Sequence, residues 1–210
     1  MSTPAVAEAA KVDESETATL GMWVFLATEL LFFGVLFFGY TTTRLHYPDA
    51  FALASRHTDL TLGSINTGVL LTSSLAMALA VRSVSLGAVR AGAWLLIATV
   101  ALGVTFLVLK SVEYAHDYTE HLVPWLDFEF APAARAGARL FFYLYFVMTG
   151  AHAVHLILGL ALVTFMATRV WRGRIDAASV APLEVTALYW HLIDIIWIFL
   201  YPLLYLVSRT

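Results

Sequence analysis

The chain has no cysteine, which excludes disulfides, iron–sulfur clusters and thiolate metal sites and leaves His, carboxylate or Met side chains as the only ligands for any metal or cofactor. Charge is also scarce. Only 13% of the 210 residues are Asp, Glu, Lys or Arg, against about a quarter in soluble domains. The formal net charge of -3 gives no basic footprint for nucleic acid. No apolar run alternates with period two, which excludes a transmembrane barrel, and no internal repeat is visible. The first 18 residues carry Glu8, Lys11, Asp13, Glu14 and Glu16 among Ala, Ser and Thr. They lack the basic and short apolar regions of a cleaved signal peptide, so residues 1–19 read as a solvated tail.

What the chain does contain is long apolar sequence. Hydrophobic residues make up 60% of it, and the mean hydropathy is +0.80. Runs of spanning length, at or above the roughly 20 residues that cross a bilayer, fall at about 20–40, 60–81, 88–114, 139–171 and 182–207. The expected fold class is therefore an all-α membrane protein with five transmembrane helices forming one domain over residues 20–210. Lys11, Arg82, Arg90, Arg169, Arg172 and Arg174 fall on one side, and Arg44, Arg56, Lys110, Arg135, Arg139 and Arg209 on the other. The first set is concentrated in two short loops, where the positive-inside bias acts best. That favours a cytoplasmic N-terminus and a C-terminus outside. The loop of about 115–138 then faces outside; it is acidic and aromatic, suited either to docking a partner or to simple solvation.

Polar residues inside the spans are the informative ones. Glu29 lies about halfway along the first span, where an acid costs about 2.5–3.5 kcal/mol to insert, so it should face protein. It reads either as a proton-path or lipid-contact carboxyl or as one end of an interhelical hydrogen bond. In the fourth span, His152 and His155 share a helical face with Thr149 and Gly159. In the last, Glu184, His191 and Asp194 are spaced by seven and three and form a second polar stripe, expected to pack towards the first or towards a partner chain. Lys110 and Glu113, three apart, are expected to form a structural ion pair with Lys110 snorkelling to the interface. Gly63 with Thr67, and Ser74 with Ala78, place small residues four apart for close helix approach. Pro202 should kink the last helix.

His152, His155 and His191 with Glu113 or Asp194 form a chemically sufficient ligand set for haem or a metal. One close pair and one single histidine are not the widely separated pairs of a dihaem bundle, and hydrogen-bonded structural histidines are the default. A free-standing membrane cytochrome b and a proton transporter using Glu29 and Asp194 stand as readings of another class. The absence of a repeat and of midspan Gly or Pro breaks weakens the transporter.

The stretches GMWVFLATELLFFGVLFF, SINTGVLLTSS, LVLKSVEYAHD, FVMTGAHAVHLILG and ALYWHLIDIIWIFLYPLLY, in this order, closely resemble the last five helices of subunit III of haem-copper cytochrome c oxidases. The match covers nearly the whole chain after residue 19. The resemblance implies an accessory subunit of the bacterial inner membrane that holds no haem or copper itself. Those cofactors are expected in partner subunits, with catalytic subunit I as the main neighbour. It further implies bound phospholipid and support of proton uptake and durable turnover. Carried over by motif, Glu29 matches the family's intramembrane glutamate, and Glu113 with Tyr114 its E-Y pair. His152 and His155 match its G-x-H-x-x-H segment, and Trp190, His191, Asp194 and Trp197 its W-H-x-x-D-x-x-W segment. Longer members have two further N-terminal helices that wall a lipid-holding cleft; this chain resembles the shorter bacterial cytochrome c and quinol oxidase forms. Related subunits also accompany some nitric oxide reductases.

Overall fold

A computed structural model of the chain describes the backbone of residues 4–206, with the side chains of residue 17 and of residues 19–206. The solvated tail expected at residues 1–19 concerns side chains that lie almost wholly outside the described residues. The elements are helices α1 (Pro4–His46), α2 (Pro48–Ser55), α3 (Leu60–Ser85), α4 (Val89–Thr119), α5 (Arg135–Trp171) and α6 (Ala181–Tyr201), followed by π-helical turns over Pro202–Leu206. No strand occurs among the described residues. Among the described residues, five helical segments are long and apolar enough to span a membrane: Thr19–His46, Leu60–Ser85, Val89–Thr119, Arg135–Trp171 and Ala181–Leu206. All five expected spans are present.

The helix ends follow from local chemistry. The Asp59 carboxylate caps α3 by accepting from the backbone N–H groups of Thr61 and Leu62 at 2.8 and 3.0 Å. Gly87, at φ +81°, then turns the chain from α3 into α4. At that hairpin a Cβ on Gly92 would lie 2.5 Å from Val84 Cγ2 and 3.1 Å from the Ala80 carbonyl oxygen, so only glycine lets the two helices meet this closely. Pro48 opens α2, a position where its missing N–H costs nothing. Phe51 of α2 is buried edge-on to Tyr40 and Phe141, which ties the α1–α2 corner to α5.

Helices α3, α4, α5 and α6 form the body of the bundle, with α1 laid against α5 and α6. Half of the last span is buried inside the chain but only 11% of the first. α6 is therefore central, and α1 turns most of its apolar surface outward. Side chains of α6 and of the π-helical turns after it seat on the small residues of α3. Trp197 Nε1 donates to Thr67 Oγ1 at 3.1 Å, and a Cβ on Gly63 would meet the Tyr205 ring at 2.9 Å. The small residues of α3 thus make room for aromatic rings, and Ala78, expected among them, is exposed.

Two expectations change. The segment after α4 is shorter than the expected 115–138 and is not a plain solvated loop: Leu122, Val123, Pro124 and Phe128 are buried. Arg139 Nε donates to the Pro124 carbonyl and Arg135 Nη2 to that of Phe128, both at 2.8 Å. Guanidinium donors from the first turns of α5 fold the loop back over the bundle end. At Pro202 the regular α6 stops and π-helical turns continue, bringing Tyr205 into the core.

Candidate functional site

The intramembrane polar residues fall into three places. The tightest is a closed network joining α4, α5 and the π-helical turns. Lys110 Nζ donates to Glu113 Oε2 at 3.0 Å, to the Tyr145 hydroxyl at 2.8 Å and to the Tyr205 hydroxyl at 2.7 Å. The two hydroxyls in turn donate to Glu113 Oε1 at 2.8 and 2.6 Å. An ammonium has three hydrogens, and here each has an acceptor. The ion pair expected between Lys110 and Glu113 is present, but Lys110 does not snorkel: it is 3% exposed. The reason is depth. α4 continues to Thr119, about two and a half turns beyond Lys110, and the Tyr145 and Tyr205 hydroxyls hold the ammonium inside the bundle. Asp117, one turn beyond Glu113, is also buried, and its Oδ2 has no hydrogen-bond partner among the described residues.

Glu29 of α1 meets His155 of α5. Its Oε2 lies 2.8 Å from His155 Nε2, while His155 Nδ1 lies 2.8 Å from the carbonyl oxygen of Ala151. Glu29 faces protein, as the insertion cost required, and makes an interhelical hydrogen bond. The rest of the α5 stripe spreads over other helices. Thr149 hydrogen-bonds the Tyr114 hydroxyl of α4 at 2.5 Å. His152 lies between the rings of Phe106 and Trp197, at centroid distances of 5.5 and 5.2 Å. Neither of its nitrogens has a hydrogen-bond partner among the described residues.

The α6 stripe does not meet the α5 stripe through its charged residues. His191 Nδ1 lies 2.8 Å from Ser74 Oγ of α3, Glu184 is exposed in the first turn, and Asp194 is buried with both oxygens unpartnered among the described residues. The α5–α6 hydrogen bond is made instead by the Tyr189 hydroxyl, which donates to the His155 carbonyl at 3.2 Å. Trp190 Nε1 donates to Ser73 Oγ at 3.1 Å. The histidines thus have three separate neighbourhoods. A bound haem or metal shared by His152, His155 and His191 does not fit this arrangement, and the described residues include no cluster of three or more His, Asp or Glu able to hold a metal ion.

Sequence reasoning missed Tyr145, Tyr205 and Asp117. For Tyr145 the signal was present, since it lies one turn before Thr149 on the stripe that carries His152.

A five-span helical bundle with buried, mutually bonded polar clusters defines a multi-pass membrane protein. Comparison with known proteins makes this specific: a family model described as cytochrome c oxidase subunit III matches residues 9–209. The chain belongs to that family, and is a subunit III of a haem-copper oxidase in a bacterial membrane. Among its relatives is a protein of Staphylococcus aureus (strain USA300) named "Probable quinol oxidase subunit 3". It is 25% identical over 200 residues, covering 95% of this chain and 94% of the relative. A protein of the same name from Staphylococcus epidermidis is 27% identical over the same coverage.

Proposed function

We propose that the chain is a non-catalytic subunit of a terminal oxidase that reduces oxygen to water and translocates protons. In this reading it carries no redox group of its own and braces the catalytic subunit, whose haem and copper do the chemistry. Its N-terminus is cytoplasmic, membrane phospholipid packs on it, and it supports proton uptake and durable turnover. The observation that carries the bracing role is the closed network of Lys110, Glu113, Tyr145 and Tyr205: every donor of the ammonium is committed within the chain, as befits a rigid scaffold. Glu29 and His155 tie the outlying α1 to the same scaffold at a position near the membrane midplane.

Cytochrome c is the electron donor expected from the sequence resemblance. A quinol donor is the second reading, supported by the names of the two staphylococcal relatives. The donor surface belongs to other subunits in either case. The test is purification from native membranes in mild detergent beside separate expression of the chain alone, with a visible spectrum and subunit census of each. Haem found only in the native preparation, with a haem-copper subunit present, supports the reading; haem on the isolated chain overturns it. Oxygen uptake by the native preparation with reduced cytochrome c or with a quinol then separates the donors.

A further inference from the structure

α1 packs on α5 and α6, and α3 packs on α4 and α6, so α6 shows an outward face between them. That face carries an imidazole near mid-membrane. Ser74 Oγ of α3 lies 2.8 Å from His191 Nδ1. By helix rise, Ser74 sits about 2 Å and His191 about 4 Å from the midpoints of their spans. Both side chains are only half-buried, and no described residue hydrogen-bonds His191 Nε2. Behind them the Asp194 carboxyl, 2% exposed, lies within electrostatic reach of the Ser74 hydroxyl and has no hydrogen-bond partner among the described residues.

Hydrocarbon cannot satisfy an imidazole. The exposed hydroxyls of Thr72, Thr105 and Ser111 donate to backbone carbonyls of their own helices at 2.8 to 2.9 Å, so those side chains can face lipid. His191 Nε2 has no such acceptor or donor within the chain. A polar group left open at this depth belongs against protein. Around it the seam is apolar: Leu71 and Ala78, one turn to either side of Ser74, are exposed, as are Ile195 and Ile198, one and two turns beyond His191. An apolar groove between two helices, floored by a third and holding one open hydrogen-bonding group at its middle, matches the surface of another membrane helix.

We propose that this α3–α6 seam seats a transmembrane helix of a partner subunit, packed on Leu71, Ala78, Ile195 and Ile198 and presenting a polar side chain to His191 Nε2. The proposal rests on the reading of the chain as one subunit of a larger complex.

The test uses the native complex purified in mild detergent. A benzophenone amino acid replaces Ile195, and its photocrosslinks are mapped by peptide mass spectrometry; it should join the chain to a membrane-spanning peptide of another subunit. Without the probe, His191→Phe should speed loss of the chain from the complex about fivefold, the effect of one interhelical polar contact. His191→Gln, which keeps a hydrogen-bonding group, should stay closer to the parent. Ala78→Trp, which fills the groove from an exposed position, should release the chain at least as fast as His191→Phe. Crosslinks to lipid alone or to a second copy of this chain, or retention unchanged in both His191→Phe and Ala78→Trp, overturn the proposal while leaving the accessory-subunit reading intact. A native preparation in which the chain has no companion subunit overturns both.

Discussion

His155 and Glu29 share one hydrogen bond whose proton count is fixed by a third group. The Ala151 carbonyl can only accept, so His155 Nδ1 must carry a hydrogen towards it. Nε2 and Glu29 Oε2, 2.8 Å apart, then need one proton between them, either on the acid or on the imidazole. A neutral imidazole facing a carboxylate would leave two acceptors in contact. The pair is therefore a single-proton link between α1 and α5, in a helix that has few other attachments.

The first prediction concerns that link. Glu29→Gln keeps a donor for Nε2 and should hold α1 in place, whereas Glu29→Ala should weaken the α1 attachment by about 1–2 kcal/mol. Haem content of the complex should be normal in both, with sustained turnover falling in Glu29→Ala only. Oxygen-uptake traces over many turnovers, with subunit retention measured in parallel, check this; unchanged turnover and retention in Glu29→Ala would count against any role for Glu29.

Breaking the Lys110 network from one side should be far more damaging than removing it. Lys110→Met leaves the Glu113 carboxylate buried with only hydroxyl partners, and Glu113→Leu strands the ammonium. Each should cost about 3–5 kcal/mol. The double substitution should recover much of that loss, since the ammonium and the carboxylate it neutralises are then both gone. Thermal or denaturant unfolding of the four variants as a double-mutant cycle measures the coupling directly, and additive losses would contradict it.

The five spans were legible because apolar length is a strong signal that needs no knowledge of partners. Their ends were less so. α1 and α4 run further than the hydropathy suggested, to His46 and Thr119, because amphipathic residues continue a helix at the membrane surface where hydropathy no longer counts them. The eight-residue α2 was invisible for the same reason. Glu29 and His155 were each singled out, but which side chain met which depended on how the helices stack. Tyr145 and Tyr205 were lost among apolar neighbours, since a ring hydroxyl hardly alters a hydropathy profile. Eleven residues beyond Asp194, Tyr205 would share its face in an unbroken α-helix, but the π-helical turns from Pro202 onward change that register. The mistaken expectation of a snorkelling Lys110 followed from placing the end of α4 too early.

The folded-back segment after α4 gives a third prediction. Arg139 and Arg135 hold it through backbone carbonyls of Pro124 and Phe128, so Arg139→Ala should loosen residues 120–134 without disturbing the spans. In sealed vesicles of known sidedness, a protease added outside should cut the variant there several times faster than the parent chain, and the N-terminal segment should be cut only from the opposite side. Cleavage of the loop only from inside and of the N-terminal segment only from outside would reverse the proposed orientation, and cleavage of both from one face would break the count of three spans between them.

Two helix glycines should respond oppositely to the same methyl group. At Gly103 an added Cβ would lie 2.8 Å from Leu160 Cδ2 and 2.9 Å from Trp190 Cη2. The leucine methyl can rotate away, but the Trp190 ring is fully buried with its N–H held by Ser73. Gly103→Ala must therefore push α4 from α6 and should cost about 1–3 kcal/mol, the range for overpacking. At Gly150 nothing lies within 4 Å of the new atom, so alanine meets no neighbour and gains its better helix propensity, about 0.5–1 kcal/mol in a helix interior. Melting temperatures of the two variants should fall on opposite sides of the parent; a loss at Gly150 equal to that at Gly103 would mean that another subunit covers α5 there.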